Sequence, residues 1–392
     1  MLLPLSYSLR NLTARPTRSL MTAGVIALVV VACSLFLGLI SSLKRTLVST
    51  GDPLNLVVMR KGSDNDGASQ LSLAAYQAIR YVDGIARDAE DRPLVSPELV
   101  VQPFFRTRDG GRENVLVRGV EPVALAVHTQ VRITEGRMFT PSAHEAIVGR
   151  GVVGRYAGAA LGSDLDFGRG TWRVVGVFDA GGTSFESEVW VDVRELGNDA
   201  KRIFPYSGIR LRTTGPAAMA ALAQRIDDDP RYAIEAQPET AYYAKLGRSA
   251  NSLYILVVGI AVLSGIGAGF GASNTMYAAV QARTGEIGTL RALGFSRAAI
   301  LTAFQVEAVA LSVTGFVLGA VAAVGLSEAI HHLLGGIAFG AATFTTNVIT
   351  LRVGTGDLAA SLGLTALIGL GGGFGPAWRA ARLRPIEALR KA

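Results

Sequence analysis

The chain has 392 residues, 49% of them apolar and only 18% charged, which is more apolar than a soluble domain carries. Its net charge of +7 does not mark a nucleic-acid binder: residues 45–248 hold 25 Lys or Arg against 26 Asp or Glu, so no basic patch is left there to supply phosphate contacts. The single cysteine, Cys33, excludes an internal disulfide and a cysteine-based metal cluster.

From the start of the chain, Leu2, Leu5, Leu9 and Leu12 recur at helical spacing beside Arg10 and Arg15. This pattern predicts an amphipathic helix at the membrane interface over residues 1–18, turning upward near Pro16. Residues 19–43 carry no charge and predict transmembrane helix 1. Val30-Val31-Ala32-Cys33 imitates a lipoprotein signal, but the apolar run continues to Leu43 and the cysteine lies too deep, so an uncleaved anchor is expected.

Residues 44–248 read as a large extracytoplasmic α+β domain of two subdomains. Its outer parts, about 50–105 and 205–240, each spell β-α-β: strand Leu54–Met59, helix Leu71–Val82, strand Leu94–Val101; then strand Gly208–Arg212, a helix opened by Pro216, and extended Tyr232–Ala236. The inserted part, about 106–204, reads as β-rich. A hairpin is expected at Asp109-Gly110-Gly111, and further strands at Arg173–Phe178 and Glu188–Val193, where Val189, Val191 and Val193 alternate with Glu188, Trp190 and Asp192. His128 and His144 have no serine or acid at triad spacing and read as surface or turn residues. Gly149-Arg150-Gly151-Val152-Val153-Gly154 matches G-x-G-x-x-G, but with no parallel sheet expected to follow, tight-turn glycines explain it better than a dinucleotide site.

Three more uncharged runs follow, at residues 249–282, 308–327 and 358–378. The first predicts transmembrane helix 2, long enough for part of it to project from the bilayer as a stalk; the second anchors helix 3 over residues 298–333, and the third is helix 4, with an extracytoplasmic loop at 334–357 and a tail at 379–392. Gly265 with Gly269, Gly267 with Gly271, Gly315 with Gly319, Gly369 with Gly373, and Gly371 with Gly375 form small-x-x-x-small pairs suited to close helix packing. Glu307 is the acid placed deepest in a span and calls for a structural partner. Glu328, His331 and His332 read as interface polarity, so no metal site is expected.

Lys and Arg cluster in the N-terminal segment, the 283–297 loop and the tail, whereas the loop after helix 3 offers only Arg352. The positive-inside rule therefore places both termini and the 283–297 loop in the cytoplasm, against anionic lipid. That loop, RTGEIGTLRALGFSR, projects as a short amphipathic helix with Glu286, Ile287, Leu290 and Leu293 on one side, Arg291 at the border, and Gly288 and Ala292 opposite. One apolar side on a cytoplasmic helix suits docking to a partner.

ARTGEIGTLRALGFSRAAI resembles the coupling-helix region of the FtsX-like permease family, especially its MacB and LolC/LolE branches. FQVEAVALSVTGFVLGA is similar to the family's third span, PAWRAARLRPIEALRKA to its C-terminal signature, and Ile133 to Val193, with EGRMF, EAIVGRGV and WRVVGVF, to the MacB-type periplasmic core. The resemblance implies an ABC-transporter permease of the mechanotransmission type. Arg283, Glu286, Ile287, Gly288, Leu290, Arg291, Leu293 and Gly294 would form the ATPase-coupling element, the helix entering a groove on an ATPase whose ATP-driven dimerisation moves spans one and two. The implied partners are two copies of an ATPase, a second permease that is either identical or a paralogue, and a periplasmic adaptor or lipoprotein. No Gly-Lys dipeptide and hence no Walker A sequence occurs, so this chain is expected to bind no cofactor, ATP and Mg belonging to a separate ATPase chain. Three functions stay open: extrusion or extraction of a lipoprotein, lipid, peptide or amphiphilic drug; FtsX-like control of a cell-wall hydrolase; and a membrane-anchored enzyme, for which no catalytic set is found.

Overall fold

The computed structural model describes residues 16–248, 251–334, 337–341 and 344–384, so most of the expected interfacial helix at 1–18 and the tail from residue 385 lie outside the described residues. Helix α1 spans Pro16–Thr50. It outruns the uncharged stretch because nothing after Leu43 breaks it: Lys44 to Thr50 contains neither Gly nor Pro, and the helix stops at Gly51. There the chain passes so close to Thr240 that an added Cβ would lie 2.7 Å from its Cα. At ~1.5 Å per residue the helix reaches about 52 Å, well beyond a bilayer core.

The chain divides into two units, a helical one and an outer one of residues 42–250 with 334–350. The outer unit begins with β1 (Asn55–Arg60), α2 (Leu73–Ile79) and β2 (Val95–Val101), continues through the hairpin of β3 (Phe104–Arg106) and β4 (Arg112–Asn114), and then β5 (Leu116–Val120) and β6 (Arg132–Gly136). After these come β7 (Glu145–Gly149), β8 (Asp164–Phe167), β9 (Gly170–Asp179), β10 (Glu188–Asp192), β11 (Gly208–Arg212), α3 (Pro216–Asp227), β12 (Ile234–Pro238) and α4 (Glu239–Arg248). Each helix is set by local chemistry. The Ser72 hydroxyl accepts the Ala75 N–H at 3.2 Å to start α2, and Pro216 opens α3, which buries Met219, Leu222 and Ile226 at helical spacing.

The two β-α-β units do not lie side by side but interleave, giving the antiparallel order β12-β1-β11-β2 of a split β-α-β layout. Nor does the insert form a sheet of its own. Strand β2 also pairs with β5, Leu99 opposite Gly119, and the ladder runs on through β10, β7, β9 and β6, so ten strands make one sheet. Both faces are covered. Val189 and Val191 enter one core with Leu56, Val58 and Trp172, while Trp190 enters the other with Val57, Met59 and Phe178. The alternation along β10 does not divide core from solvent: Glu188, Trp190 and Asp192 are buried as well. The glycine-rich stretch after β7 is no dinucleotide turn, although β7 and β9 are parallel, because Gly149 backs directly onto the Glu186 backbone.

The helical unit holds the first part of α1 with α5 (Asn251–Ala282), α6 (Thr284–Ala292), α7 (Arg297–Leu334) and α8 (Thr355–Arg382). Among the described residues four helices, α1, α5, α7 and α8, are long and apolar enough to cross a membrane. Between α7 and α8, where the sequence suggested only a loop, β13 (Ile337–Ala341) and β14 (Phe344–Ile349) form an antiparallel hairpin. With no hydrophobic effect to hold helices together inside lipid, close backbone approach and hydrogen bonds serve instead. Gly315 and Gly319 of α7 press on α1, where an added Cβ would lie 2.9 Å from Ala23 O and 2.6 Å from Ala27 O respectively. Ser34 Oγ lies 2.9 Å from Ser361 Oγ, Ser41 donates to Asp357 at 3.0 Å, and Thr22 donates to Thr275 at 3.1 Å.

The glycine pairs divide by face. Gly265 meets Leu364, Gly375 the Tyr277 hydroxyl, Gly369 Ser312 and Gly373 Ala308, while the Gly269 backbone receives Gly372. An added Cβ at Gly267, Gly271 or Gly371 would meet nothing within 4 Å, so these three do not pack against another helix of this chain. A run of alternate glycines presents one pair per helix face, and only the neighbouring helix decides which face is used.

Candidate functional site

The 283–297 segment folds as a turn, a helix and a stop, each dictated by its residues. Gly294 adopts φ +94, the left-handed conformation that closes a helix, and the N–H groups of Gly294 and Phe295 reach Arg291 O and Leu290 O at 3.2 Å each. The Ser296 hydroxyl then accepts the Ala299 N–H at 3.2 Å and starts α7. Glu286 in the first turn and Arg291 in the last oppose the helix dipole favourably.

The seating of α6 differs from the helical projection. Ile287, expected on the docking side, is buried among Met276, Val280, Ile300, Phe304, Ala377 and Ala380 of its own chain, and Leu290 and Phe295 pack against that cluster. Gly288 is buried as well, whereas Ala292, expected to press on the membrane helices, is exposed. The reason is energetic: burying an isoleucine is worth about 2 kcal/mol, and the ends of α5, α7 and α8 offer the nearest apolar surface. What remains outward is Glu286, Thr289, Ala292, Leu293 and Gly294, with Leu293 71% exposed. Arg291 lies at the edge, its guanidinium donating to Phe295 O at 2.8 Å.

Arg283 turns inward, not outward. Its side chain is 8% exposed, and Nη1 donates to Glu307 Oε2 of α7 at 3.1 Å, a carboxylate itself 7% exposed. The partner that an acid in a span requires is thus supplied from the junction of α5 and α6. Glu328 and His332 pair at 3.2 Å on the exposed surface of α7, and among the described residues no group could hold a metal ion.

A second constellation, in the outer unit, escaped the sequence reading. Arg118 of β5 and Arg210 of β11, 2% and 0% exposed, sit among four buried carboxylates. Arg118 donates to Glu188 at 2.7 Å and Glu98 at 2.9 Å; Arg210 donates to Glu98 at 2.5 Å, Asp66 at 2.9 Å and Glu239 at 3.3 Å. His128 is no surface residue: it is fully buried, with Nε2 2.7 Å from Glu98 Oε1, because α-helical residues 124–127 turn it into the sheet beneath Phe185 and Trp190. His144, by contrast, does sit in a turn at φ +47. Glu239 also accepts the Asp52 N–H at 3.0 Å, tying the start of α4 to the residues that leave α1.

Burial pushes the Glu98 carboxyl up, but Arg210, His128 and Arg118 outweigh it and hold it below the ordinary carboxylate range; Asp66 is held low by Arg210 and Arg118 against its own burial. A depressed folded-state pKa means that the unfolded chain binds more protons in acid. The stabilisation is complete above the unfolded carboxylate value of about 4 and fades as pH falls through and below it. Melting of the full chain in detergent should therefore be flat from pH 7 to about 5 and drop steeply below about 4; a flat profile to pH 3 would contradict the network.

A model of the MacB-like periplasmic core domain matches residues 19–229, and one of the FtsX-like permease C-terminal region matches residues 257–385. The macrolide export ATP-binding/permease protein MacB of Bradyrhizobium diazoefficiens is 27% identical over 418 residues, covering 99% of this chain and 60% of that protein. The protein of the same name from Paracoccus denitrificans is 29% identical over 288 residues, covering 67% and 40%. The pyoverdine export ATP-binding/permease protein PvdT of Pseudomonas entomophila is 30% identical over 297 residues, covering 66% and 40%. The chain thus spans only 40% to 60% of these relatives' length. Among solved structures, the periplasmic region of MacB from Actinobacillus actinomycetemcomitans superposes with a TM-score of 0.38 at 10% identity, over 51% of this chain and 95% of that one.

Proposed function

The chain belongs to the FtsX-like, MacB-type family of ABC transporter permeases, and we propose that it is a permease subunit coupling ATP hydrolysis on a separate ATPase chain to movement of its outer domain. It would sit in the cytoplasmic membrane with both termini in the cytoplasm, as one of two permease subunits served by two ATPase copies. The observation that carries this reading is α6: a nine-residue helix anchored by Ile287 in its own chain while Glu286, Thr289 and Leu293 remain outward. A rigidly seated helix with one short outward ribbon is the form that helix-in-groove docking takes.

The substrate follows less tightly. Relatives named for macrolide and pyoverdine export favour a bulky amphiphile handled on the outer side, with a lipoprotein or lipid as the other member of that chemical class.

The test is co-purification of tagged full-length chain with the endogenous ABC ATPase, together with ATP hydrolysis by the eluate. Glu286→Arg and Leu293→Glu each alter the outward ribbon without touching Ile287. Each should cut recovered ATPase and hydrolysis at least about tenfold, the loss expected from one central contact of an interface. Wild-type recovery in both variants would overturn docking through α6.

A further inference from the structure

Helix α6 is continuous with α5 through the single residue Arg283, so a push on α6 reaches α5 through the backbone. Helix α1 has no covalent link to α6, from which more than 200 residues of sequence separate it. It touches α5 directly, Thr22 donating to Thr275 at 3.1 Å and Ile26 and Val30 sharing a buried cluster with Ala268, and α7 offers a second path. Arg283 Nη1 holds Glu307 Oε2 of α7 at 3.1 Å, both side chains buried. One and two further stretches along α7, Gly315 and Gly319 rest against α1, where an added Cβ would lie 2.8 Å from Ile26 Cβ and 2.7 Å from Val30 Cβ. Packing this tight leaves no slack for α7 to slide without carrying α1.

We propose that Arg283 and Glu307 are a positioning pair that pins α6 to α7 and makes α7 a route, beside the direct α1–α5 contact, by which displacement of α6 reaches α1. The pair acts through other residues: it touches neither ATP nor substrate. Buried at the edge of the span, with side chains only 8% and 7% exposed, the guanidinium and the carboxylate meet little competing water, so neither can be removed without stranding its partner. Ile287 lies one helical turn beyond Arg283 on the same side of α6, so the ion pair and the Ile287 cluster seat the same end of the helix. The proposal rests on the docking role of α6 only for its second half; the pin itself is a property of this chain alone.

Two measurements on full-length protein in nanodiscs, made in a Cys33→Ala background that removes the only cysteine, test the two halves separately. For the pin, a water-soluble maleimide is applied to Ile287→Cys. Labelling should be slow, about tenfold faster after Glu307→Gln, and slow again in the exchanged pair Arg283→Glu with Glu307→Arg. Unchanged labelling after Glu307→Gln overturns the pin, and so does failure of the exchanged pair to restore protection. If Glu307→Gln does not reach the membrane, Arg283→Gln is read in the same way.

For the route, Leu28→Cys on α1 and Leu263→Cys on α5, both 70% exposed, carry an apolar nitroxide spin label whose mobility is read with and without ATP and vanadate in complexes holding the co-purified ATPase. Glu307→Gln should keep the nucleotide-dependent change at Leu263 and at least halve that at Leu28. An undiminished change at Leu28 overturns the route through α7. Absence of any change at either site in the unmodified pair overturns docking instead, and the Ile287 measurement still decides the pin.

Discussion

Arg210→Met should lower the melting temperature of the chain by about 8–15 °C, the largest effect of any single substitution in the outer unit. Arg210 is fully buried and is the cation shared by Glu98, Asp66 and Glu239. Methionine fills most of the volume but supplies no charge, so Arg118 is the one guanidinium left among these carboxylates, and Glu239 keeps only the neutral donors Asp52 N–H and Asn55 Nδ2, each at 3.0 Å. Removing one partner from a buried ion network costs about 3–5 kcal/mol, because the stranded charges stay in the protein interior. Against a total of about 5–15 kcal/mol for a domain this is a third or more of the stability. Arg210→Lys should recover only part of the loss, since an ammonium cannot present donors to three carboxylates in fixed directions as the guanidinium fork does. Thermal melting and protease resistance of detergent-solubilised full-length protein read both variants. A shift under about 2 °C for Arg210→Met would mean that the carboxylates had been neutral or hydrated all along.

The network shows why the interior was harder to read from sequence than the membrane helices. Hydrocarbon forbids charge and demands internal backbone bonding, so each span announces itself as an uncharged run. The network announces nothing: Asp66, Glu98, Arg118, Glu188, Arg210 and Glu239 are scattered over some 170 residues and meet only because β2 joins both halves of the sheet. Alternation could not show this either. Polar residues on alternate positions normally face water, yet along β10 a second core covers Trp190 and Arg118 satisfies Glu188. In α6 the helix and its stop were legible from Gly294 and Ser296, but not its rotation. Ile287 could face a partner or its own chain, and only the ends of α5, α7 and α8 decide between them. The same holds for Arg283, whose charge at the edge of a span read as a topology signal and proved to be the partner of Glu307.

Glycine contacts offer the complementary test, since they distinguish close packing from a small-residue pattern that merely looks like it. Gly319→Leu should destabilise the helical unit by about 1–3 kcal/mol, the usual range for overpacking, and more if the helices cannot separate. At Gly319 an added Cβ would lie 2.6 Å from Ala27 O and 2.7 Å from Val30 Cβ. Backbone stands on one side and a β-branched residue on the other, so neither can rotate away. Gly267→Leu is the informative control. It lies in an identical sequence pattern, but an added Cβ there meets nothing within 4 Å, so the fold should tolerate the leucine. Melting of the two variants in detergent, each compared with the parent chain, separates the cases: a loss at Gly319 with none at Gly267 ties stability to the α1–α7 contact. Equal losses would show instead that glycine content along the helices, through backbone flexibility, governs stability. Equal tolerance would mean that α1 and α7 can part by the width of a side chain, and a joint that loose could not carry displacement from α7 to α1.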